Sequence, residues 1–360
     1  MKIAIDISSI VYGTGVSIYT RNLVTNLIKE DIQNDYILFG GSLRRMRDLR
    51  IFLNTLKKYS FQGKIFPIPP TLADIFWNKL HVLPIEKLIG RNDIFHSSDW
   101  TQPPSSAFKV TTIHDLVPLK FPRLTDQKII SVHKARLKWV IKEVDRVIVP
   151  SRVTAEDVQK LGISSDKIRI IPEATNSNFK PAKKYQIEKL KKKYRISGKY
   201  LLAVGVNPRK NTERIIQSYE KVKADKALKL VIIGNPYFNI KPSRGVIFTG
   251  HIPDADLPLF YSGAEALIYP SIYEGFGIPI LEAFACKTPV VTSNIGSMAE
   301  VAGNAAVLVD PYDLNSIAEG IISAIKGKEK LVKLGSKRVK QYSWEKTAKE
   351  TLKVYKEAEK

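Results

Sequence analysis

The chain of 360 residues has a single cysteine, Cys286, three methionines and five histidines. One thiol excludes an internal disulfide and any multi-cysteine metal site, and it fits a reducing compartment. Cys286 lies in the apolar run Ala283-Phe284-Ala285-Cys286, which reads as a buried helix, so core packing and not nucleophilic chemistry is expected of it. His81, His96, His114, His133 and His251 form no set at metal-ligand spacing, and the pair His114-Asp115 therefore does not read as a metal-dependent hydrolase. No uncharged apolar run is long enough to cross a bilayer. The opening residues 1–7 lack the length and small-residue cleavage site of a signal peptide, so the expected location is cytoplasmic, with any membrane contact peripheral and on the inner face.

Negative charge is also scarce. Lys and Arg number 57 against 35 Asp and Glu, a formal net charge of +22, which points to an anionic partner. Nucleic acid and anionic lipid are the two candidates, and no recognised nucleic-acid-binding module is present. Part of the excess lies in residues 42–58, where Leu43, Met46, Leu49, Leu53 and Leu56 share one helical face beside a basic one. That pattern is expected either of a helix lying on an anionic membrane surface or of a surface helix packed on its own domain.

Hydrophobic residues at 44% and charged residues at 26% are the proportions of a globular protein, and the length suits two domains. Residues 3–7 read as a strand, followed by Gly13-Thr14-Gly15 and an amphipathic helix over 17–28, the opening of a Rossmann-type half. Gly13-Thr14-Gly15 is not a dinucleotide fingerprint, because Ile18 stands where the third glycine belongs. A second opening follows at residues 200–205, a strand, with a loop over 206–210 and a helix over 212–222 capped by Asn211 or Thr212. Further short β-rich runs at 228–234, 246–250, 266–270, 290–292 and 306–309 alternate with helical segments. Such alternation predicts a parallel sheet covered on both faces in each half, a doubly wound α/β chain. The halves are expected to meet near 172–193.

Glu274 and Glu282 stand eight positions apart in Pro270-Ser271-Ile272-Tyr273-Glu274-Gly275-Phe276-Gly277-Ile278-Pro279-Ile280-Leu281-Glu282-Ala283. Pro279 suits the first position of a helix, which puts Glu282 one turn in and Glu274 in the preceding glycine loop. The cap position, near Ile278, has no side-chain oxygen, so the first helical N–H groups and the positive end of the dipole are available to an anion. Arg209 and Lys210 follow a strand and precede a helix, at the strand end where ligands bind in such folds. Asp254-Ala255-Asp256 resembles a DxD metal motif, but it leads into a helical run over 257–262, and helix capping is expected of these acids instead.

The Glu-x7-Glu stretch resembles the signature of retaining glycosyltransferase family four, which has the GT-B fold. The likeness extends through Phe95-His96-Ser97, Thr112-Ile113-His114-Asp115-Leu116, Pro208-Arg209-Lys210-Asn211, Thr249-Gly250-His251 and Ser343-Trp344-Glu345-Lys346-Thr347-Ala348. It implies two Rossmann-like domains facing each other across a cleft: an acceptor-binding domain over 1–178, a nucleotide-sugar-binding domain over 179–342, and a final segment, 343–360, that crosses back to the first. By resemblance Glu282 binds ribose, while Glu274 and the backbone of Gly275, Phe276, Gly277 and Ile278 hold the donor sugar. His114 contacts that sugar, and Arg209, Lys210 and Gly15 hold the diphosphate. Val206 departs from the family pattern, which often has arginine there, and Lys287 stands where glycine is common.

The function so implied is retaining transfer of a hexose, mannose or glucose-like, from a nucleoside-diphosphate sugar to an acceptor hydroxyl. The acceptor is expected to be a glycan or lipid-linked, in cell-surface glycan or glycolipid synthesis. No metal and no cofactor is expected, since cations and helix N–H groups can stabilise the leaving diphosphate. GDP-mannose or UDP-glucose is the expected donor. Two other classes remain open: a sugar-nucleotide-binding protein without transferase activity, and a nucleic-acid-binding protein.

Overall fold

The computed structural model describes residues 1–222, 228–236 and 243–359. Two compact units emerge, one built from Met1–Glu173 together with Ser343–Lys360 and the other from Ala174–Tyr342.

In the first unit seven strands form one parallel sheet: β1 (Lys2–Asp6), β2 (Asp35–Gly41), β3 (Gln62–Phe66), β4 (Ile94–Ser97), β5 (Phe108–Thr112), β6 (Arg146–Val149) and β7 (Ile168–Ile170), in the order β3-β2-β1-β4-β5-β6-β7. The second unit has β8 (Lys199–Val204), β9 (Leu228–Ile233), β10 (Val246–Phe248), β11 (Ala266–Tyr269), β12 (Val290–Ser293) and β13 (Val307–Val309), also all parallel, in the order β10-β9-β8-β11-β12-β13. Successive residues of β8 serve opposite faces. Tyr200 and Leu202 join one buried cluster, Leu201 and Ala203 the other, as a sheet covered on both sides requires. Each order reverses once, between β1 and β4 in the first unit and between β8 and β11 in the second. At such a reversal neighbouring connections leave in opposite directions, and a crevice opens beyond the carboxyl ends of the strands.

The first unit ends at Glu173, whereas the sequence placed the boundary after 178. Glu173 is bonded to His114 of the first unit, and Phe179 packs in the core of the second, so the changeover lies between them. The C-terminal helix, Trp344–Tyr355, belongs to the first unit. There Thr347 Oγ1 donates to Pro172 O at 2.8 Å, and the Trp344 ring meets Tyr19 edge-on at 5.6 Å. Tyr355 OH lies 2.6 Å from Nδ1 of buried His96. A short 3-10 turn, Lys356–Glu359, follows, and its Glu357 carboxylate bonds both Arg146 and Arg169, which together hold its pKa down at about 2.

Three local expectations need correction. The basic helix is Met46–Thr55, shorter than 42–58, and its apolar side is already used. Leu49, Phe52 and Leu56 are buried, while Leu43 lies outside the helix and is exposed. Gly40 and Gly63 on the underlying strands make room for Leu49 and Leu53, since a Cβ at Gly63 would stand 2.5 Å from Leu53 Cδ1. The face that carries Leu49, Phe52 and Leu56 is thus turned to protein, while Leu43 and Ile51 stay exposed. Asp256 does not cap Leu257–Gly263; its side chain accepts from Lys193 Nζ at 2.6 Å and Tyr194 OH at 2.7 Å. Nor does Asn211 cap Thr212–Val222 with its side chain, which has a different task.

Candidate active site

The loops that leave β8 and β11 flank the reversal in the second sheet, and they are tied to each other. Asn211 takes the left-handed conformation, φ 64°, after a single turn Pro208–Lys210. Its Nδ2 donates to Pro270 O at 3.0 Å and to Pro311 O at 2.6 Å. Backbone Ile272 N–H adds a bond to Arg209 O at 2.9 Å. The two loops therefore hold their side chains in fixed register.

Glu274 lies between Arg209 and Lys210. Arg209 Nη1 is 2.5 Å from Glu274 Oε2 and also donates to Tyr273 O at 2.6 Å; Lys210 Nζ is 2.7 Å from Oε1. Tyr269, the last residue of β11, accepts from Lys210 Nζ at 2.5 Å and donates to Glu274 Oε1 at 2.9 Å. The side chains of all three charged residues are 16% exposed or less, so their mutual fields are weakly screened. Burial alone would raise the Glu274 pKa, but the two cations override it and pull it down to about 2, so this carboxylate stays ionised. Lys210 shifts down, through burial and the Arg209 charge against the pull of Glu274. Gly205, at φ 84°, lets the Lys210 stem lie along the backbone; a Cβ there would touch Lys210 Cε at 3.4 Å.

The helix after this loop is Ile278–Ala285, with Gly277 at φ 114° as its cap, one residue earlier than expected, and no side-chain cap. Pro279 has no N–H and the Ile280 N–H bonds Gly277 O at 3.0 Å, so the anion cradle is narrower than the bare helix end predicted. Phe276 turns into the core, edge-on to Tyr342 at 5.8 Å, which leaves only its backbone to face a ligand. Glu282 accepts from Tyr261 OH at 2.7 Å, and burial raises its pKa to about 7. The structure thus brings Arg209, Lys210 and Glu274 into contact, with Glu282 near enough to act electrostatically on Lys210. Gly275 to Ile278 lie on the same connection.

His114 and Gly15 belong to the first unit. His114 follows β5, its Nδ1 is 2.8 Å from Glu173 Oε1, and its ring meets Tyr19 edge-on at 4.5 Å. Burial opposes its charge, but the Glu173 bond and carboxylate prevail and raise its pKa. A cavity of about 160 Å³ opens beside it. Gly15 begins the helix Gly15–Glu30, whose end is closed by a reciprocal pair: Ser17 N to Thr14 Oγ1 at 3.4 Å and Thr14 N to Ser17 Oγ at 3.2 Å. A Cβ on Gly15 would meet nothing within 4 Å.

Sequence reasoning missed Tyr269, Tyr261 and Glu173, and it took Asn211 for a helix cap where the side chain instead ties the two loops. The tyrosines read as apolar strand and helix residues, and Glu173 carried no motif at all. Among the described residues no group of three or more His, Cys, Asp or Glu side chains is placed to hold a metal ion. No helix among them is long and apolar enough to cross a membrane.

Comparison with known proteins gives the family and the fold. The Glycosyltransferase Family 4 profile matches residues 13–179, and the Glycosyl transferases group 1 profile matches residues 186–341. The chain is 28% identical over 281 residues to O-antigen chain mannosyltransferase B of Escherichia coli, covering 73% of this chain and 74% of that protein. It is 33% identical over 232 residues to O-antigen chain mannosyltransferase RfbU of Salmonella typhimurium, covering 61% and 60%. Sucrose-phosphate synthase from Thermosynechococcus elongatus shares the fold, with TM-score 0.70 at 20% identity over 99% of this chain and 98% of that one. With the two profiles dividing the chain as its two sheets do, the protein belongs to the family-four glycosyltransferases of the GT-B fold.

Proposed function

We propose that the chain moves mannose, with glucose as the second choice, from a nucleoside-diphosphate sugar to an acceptor hydroxyl of a cell-surface glycan or glycolipid. The α configuration at the anomeric carbon is retained and no metal is needed. The observation that carries this reading is the buried Arg209–Glu274–Lys210 triad at the β8/β11 reversal. Mannose is favoured because two relatives are O-antigen chain mannosyltransferases.

Arg209, Lys210 and Gly15 contact the diphosphate, Glu282 the ribose hydroxyls, and Glu274 with the backbone of Gly275 to Ile278 the donor sugar, while His114 meets the sugar from the first unit. The bond from the anomeric carbon to the phosphate oxygen breaks as the acceptor oxygen attacks from the same face. The departing diphosphate takes the acceptor's proton, and the two cations stabilise the negative charge that develops on it. No residue serves as a covalent nucleophile. Arg44, Arg45 and Arg47, all exposed, attract anionic lipid headgroups by charge alone.

The test is thermal shift with GDP-mannose and UDP-glucose, then transfer to a mannosyl acceptor with and without EDTA, the product anomer read by NMR. An α product formed equally with EDTA is expected. An inverted product, or loss of transfer with EDTA, refutes the mechanism; donor binding without transfer to any acceptor favours a binding protein. Tight RNA binding that donor does not displace would favour the nucleic-acid reading. Changing Arg44, Arg45 and Arg47 to Glu is expected to abolish cosedimentation with anionic vesicles.

A further inference from the structure

Glu173 is a buried carboxylate of the first unit to which the proposed reaction gives no task. It stands just beyond β7, and its Oε1 lies 2.8 Å from His114 Nδ1. An ionised carboxylate only accepts, so Nδ1 must carry the proton of this bond whether the ring is charged or neutral.

The rest of the ring is held as well. Tyr19 meets it edge-on, at 80° with centroids 4.5 Å apart, and Tyr19 is itself flanked by Trp344 at 5.6 Å and by Thr112 Oγ1 at 3.4 Å from its hydroxyl. The His114 side chain is 15% exposed, and a flip of its ring would break the Glu173 bond. With Nδ1 taken, Nε2 is the ring nitrogen left to meet a ligand from the cavities that His114 lines.

What Nε2 offers depends on its own proton. A neutral ring with the proton on Nδ1 presents a lone pair there, whereas an imidazolium presents an N–H donor. Burial opposes ionisation, but the Glu173 bond and charge, with Asp99 and Asp115 behind them, outweigh it and raise the His114 pKa. Asp6 and Arg136 each border one of the same cavities, an anion and a cation. His96 and His133 add no charge near pH 7, because burial holds them down at about 3 and about 4.

We propose that Glu173 is a positioning residue of the transfer reaction: it fixes one proton of His114 on Nδ1 and sustains the second on Nε2, so that the ring meets the donor sugar as a hydrogen-bond donor in a set direction. The proposal rests on the transferase reading for the hydroxyl that Nε2–H meets, though the pair belongs wholly to the first unit. Glu173 touches no substrate and acts only through His114. No proton is transferred.

The ring is read in the full chain by long-range proton–nitrogen NMR of the histidines, with the His114 signals assigned by their loss in His114→Asn. At low pH both nitrogens are expected to be protonated, and at high pH the remaining proton is expected on Nδ1. Glu173→Gln keeps an acceptor for Nδ1–H but removes the charge, so its His114 should lose the second proton at lower pH than in wild type. Transfer should follow the same sign: the deficit of Glu173→Gln in kcat/KM is expected to grow from under about threefold near pH 5.5 to about tenfold near pH 8. Glu282, with a pKa of about 7, titrates in both proteins, so the ratio of the two profiles reports the pair.

A wild-type ring that keeps its last proton on Nε2 overturns the proposal and leaves the transferase reading intact. So does a ratio that is constant with pH, which is what a merely structural role would give. If Glu173→Gln fails to fold, the position of the proton in the wild type decides. Should wild-type protein bind neither GDP-mannose nor UDP-glucose, the transferase reading falls, and the NMR titration still decides whether Glu173 fixes the ring.

Discussion

The two sheet reversals are topologically alike and chemically opposed. At β8/β11 every charge has a partner: Glu274 is clamped by Arg209 and Lys210, and Asn211 ties the flanking loops. At β1/β4 carboxylates outnumber cations, and among the described residues Asp6 Oδ2, Asp99 Oδ1 and Arg136 Nε have no hydrogen-bond partner. Strand order thus decides where a ligand can lie in each unit, because the crevice follows from the direction of the connections. Which ligand lies there is set by side chains that the strand order does not constrain.

The largest effect is expected from breaking the triad. Lys210→Ala and Glu274→Ala should each lower turnover by ~10²-fold or more with far-UV circular dichroism unchanged. Unchanged turnover in both would remove the triad from the chemistry and erase the contrast between the units.

Asn211→Ala attacks the scaffold instead of the charges. It removes two buried donations and leaves two carbonyls short of a partner, so urea titration should show a loss of about 2 kcal/mol. A drop in turnover beyond the loss of folded protein would show that the loop tie positions the cations.

pH sharpens the comparison within the second unit. The folded pKa of Glu282, about 7, lies above its ordinary value, so its contribution to stability is full below about pH 4.5 and is lost as pH rises toward 7. Glu274 has the opposite sign: its folded pKa is depressed, and its contribution is present above its ordinary value and lost as pH falls toward 2. Glu282→Gln should raise the melting temperature at pH 8 and leave it unchanged at pH 4. If the carboxylate accepts from ribose hydroxyls, nucleotide affinity in the wild type rises through pH 7, and a flat profile would argue against that contact.

The smallest effect concerns Lys287, which ends the helix Ile278–Ala285 at φ 60°. A side chain in this conformation is strained, and Thr288 N bonds back to Ala283 O at 2.9 Å to close the helix end. Lys287→Gly should stabilise the protein by about 0.5–1 kcal/mol in urea titration, with turnover unchanged.

Much of the fold was legible because it follows from local patterns. Apolar runs alternating with amphipathic segments demanded parallel sheets covered on both faces, and the helix over 212–222 and the strands near 200–204 and 266–269 lie where the pattern put them. Gly205 and Gly277 mark positive φ at the loops that approach the site. The triad residues were legible one by one, since each sits at a strand end or in a glycine loop.

Their mutual arrangement was not legible, because it depends on contacts between segments far apart in the chain. Nothing local reveals that Glu274 lies between Arg209 and Lys210, that Tyr269 joins them, or that Glu173 reaches His114 across 59 positions. The basic helix shows the same division. Its amphipathic face was correct in the sequence, but only the neighbouring strands, with Gly40 and Gly63 making room, determined that this face meets protein and not lipid. By itself, then, the sequence of this protein determined the opening strand and helix of the first half, the strands of the second, the doubly wound class and the chemical groups available at the strand ends, while β2, β3, β6 and β7 carried no pattern that was read. Tertiary structure decided which groups neutralise each other and which stay open, because burial and distance, not sequence position, set the energy of a charge.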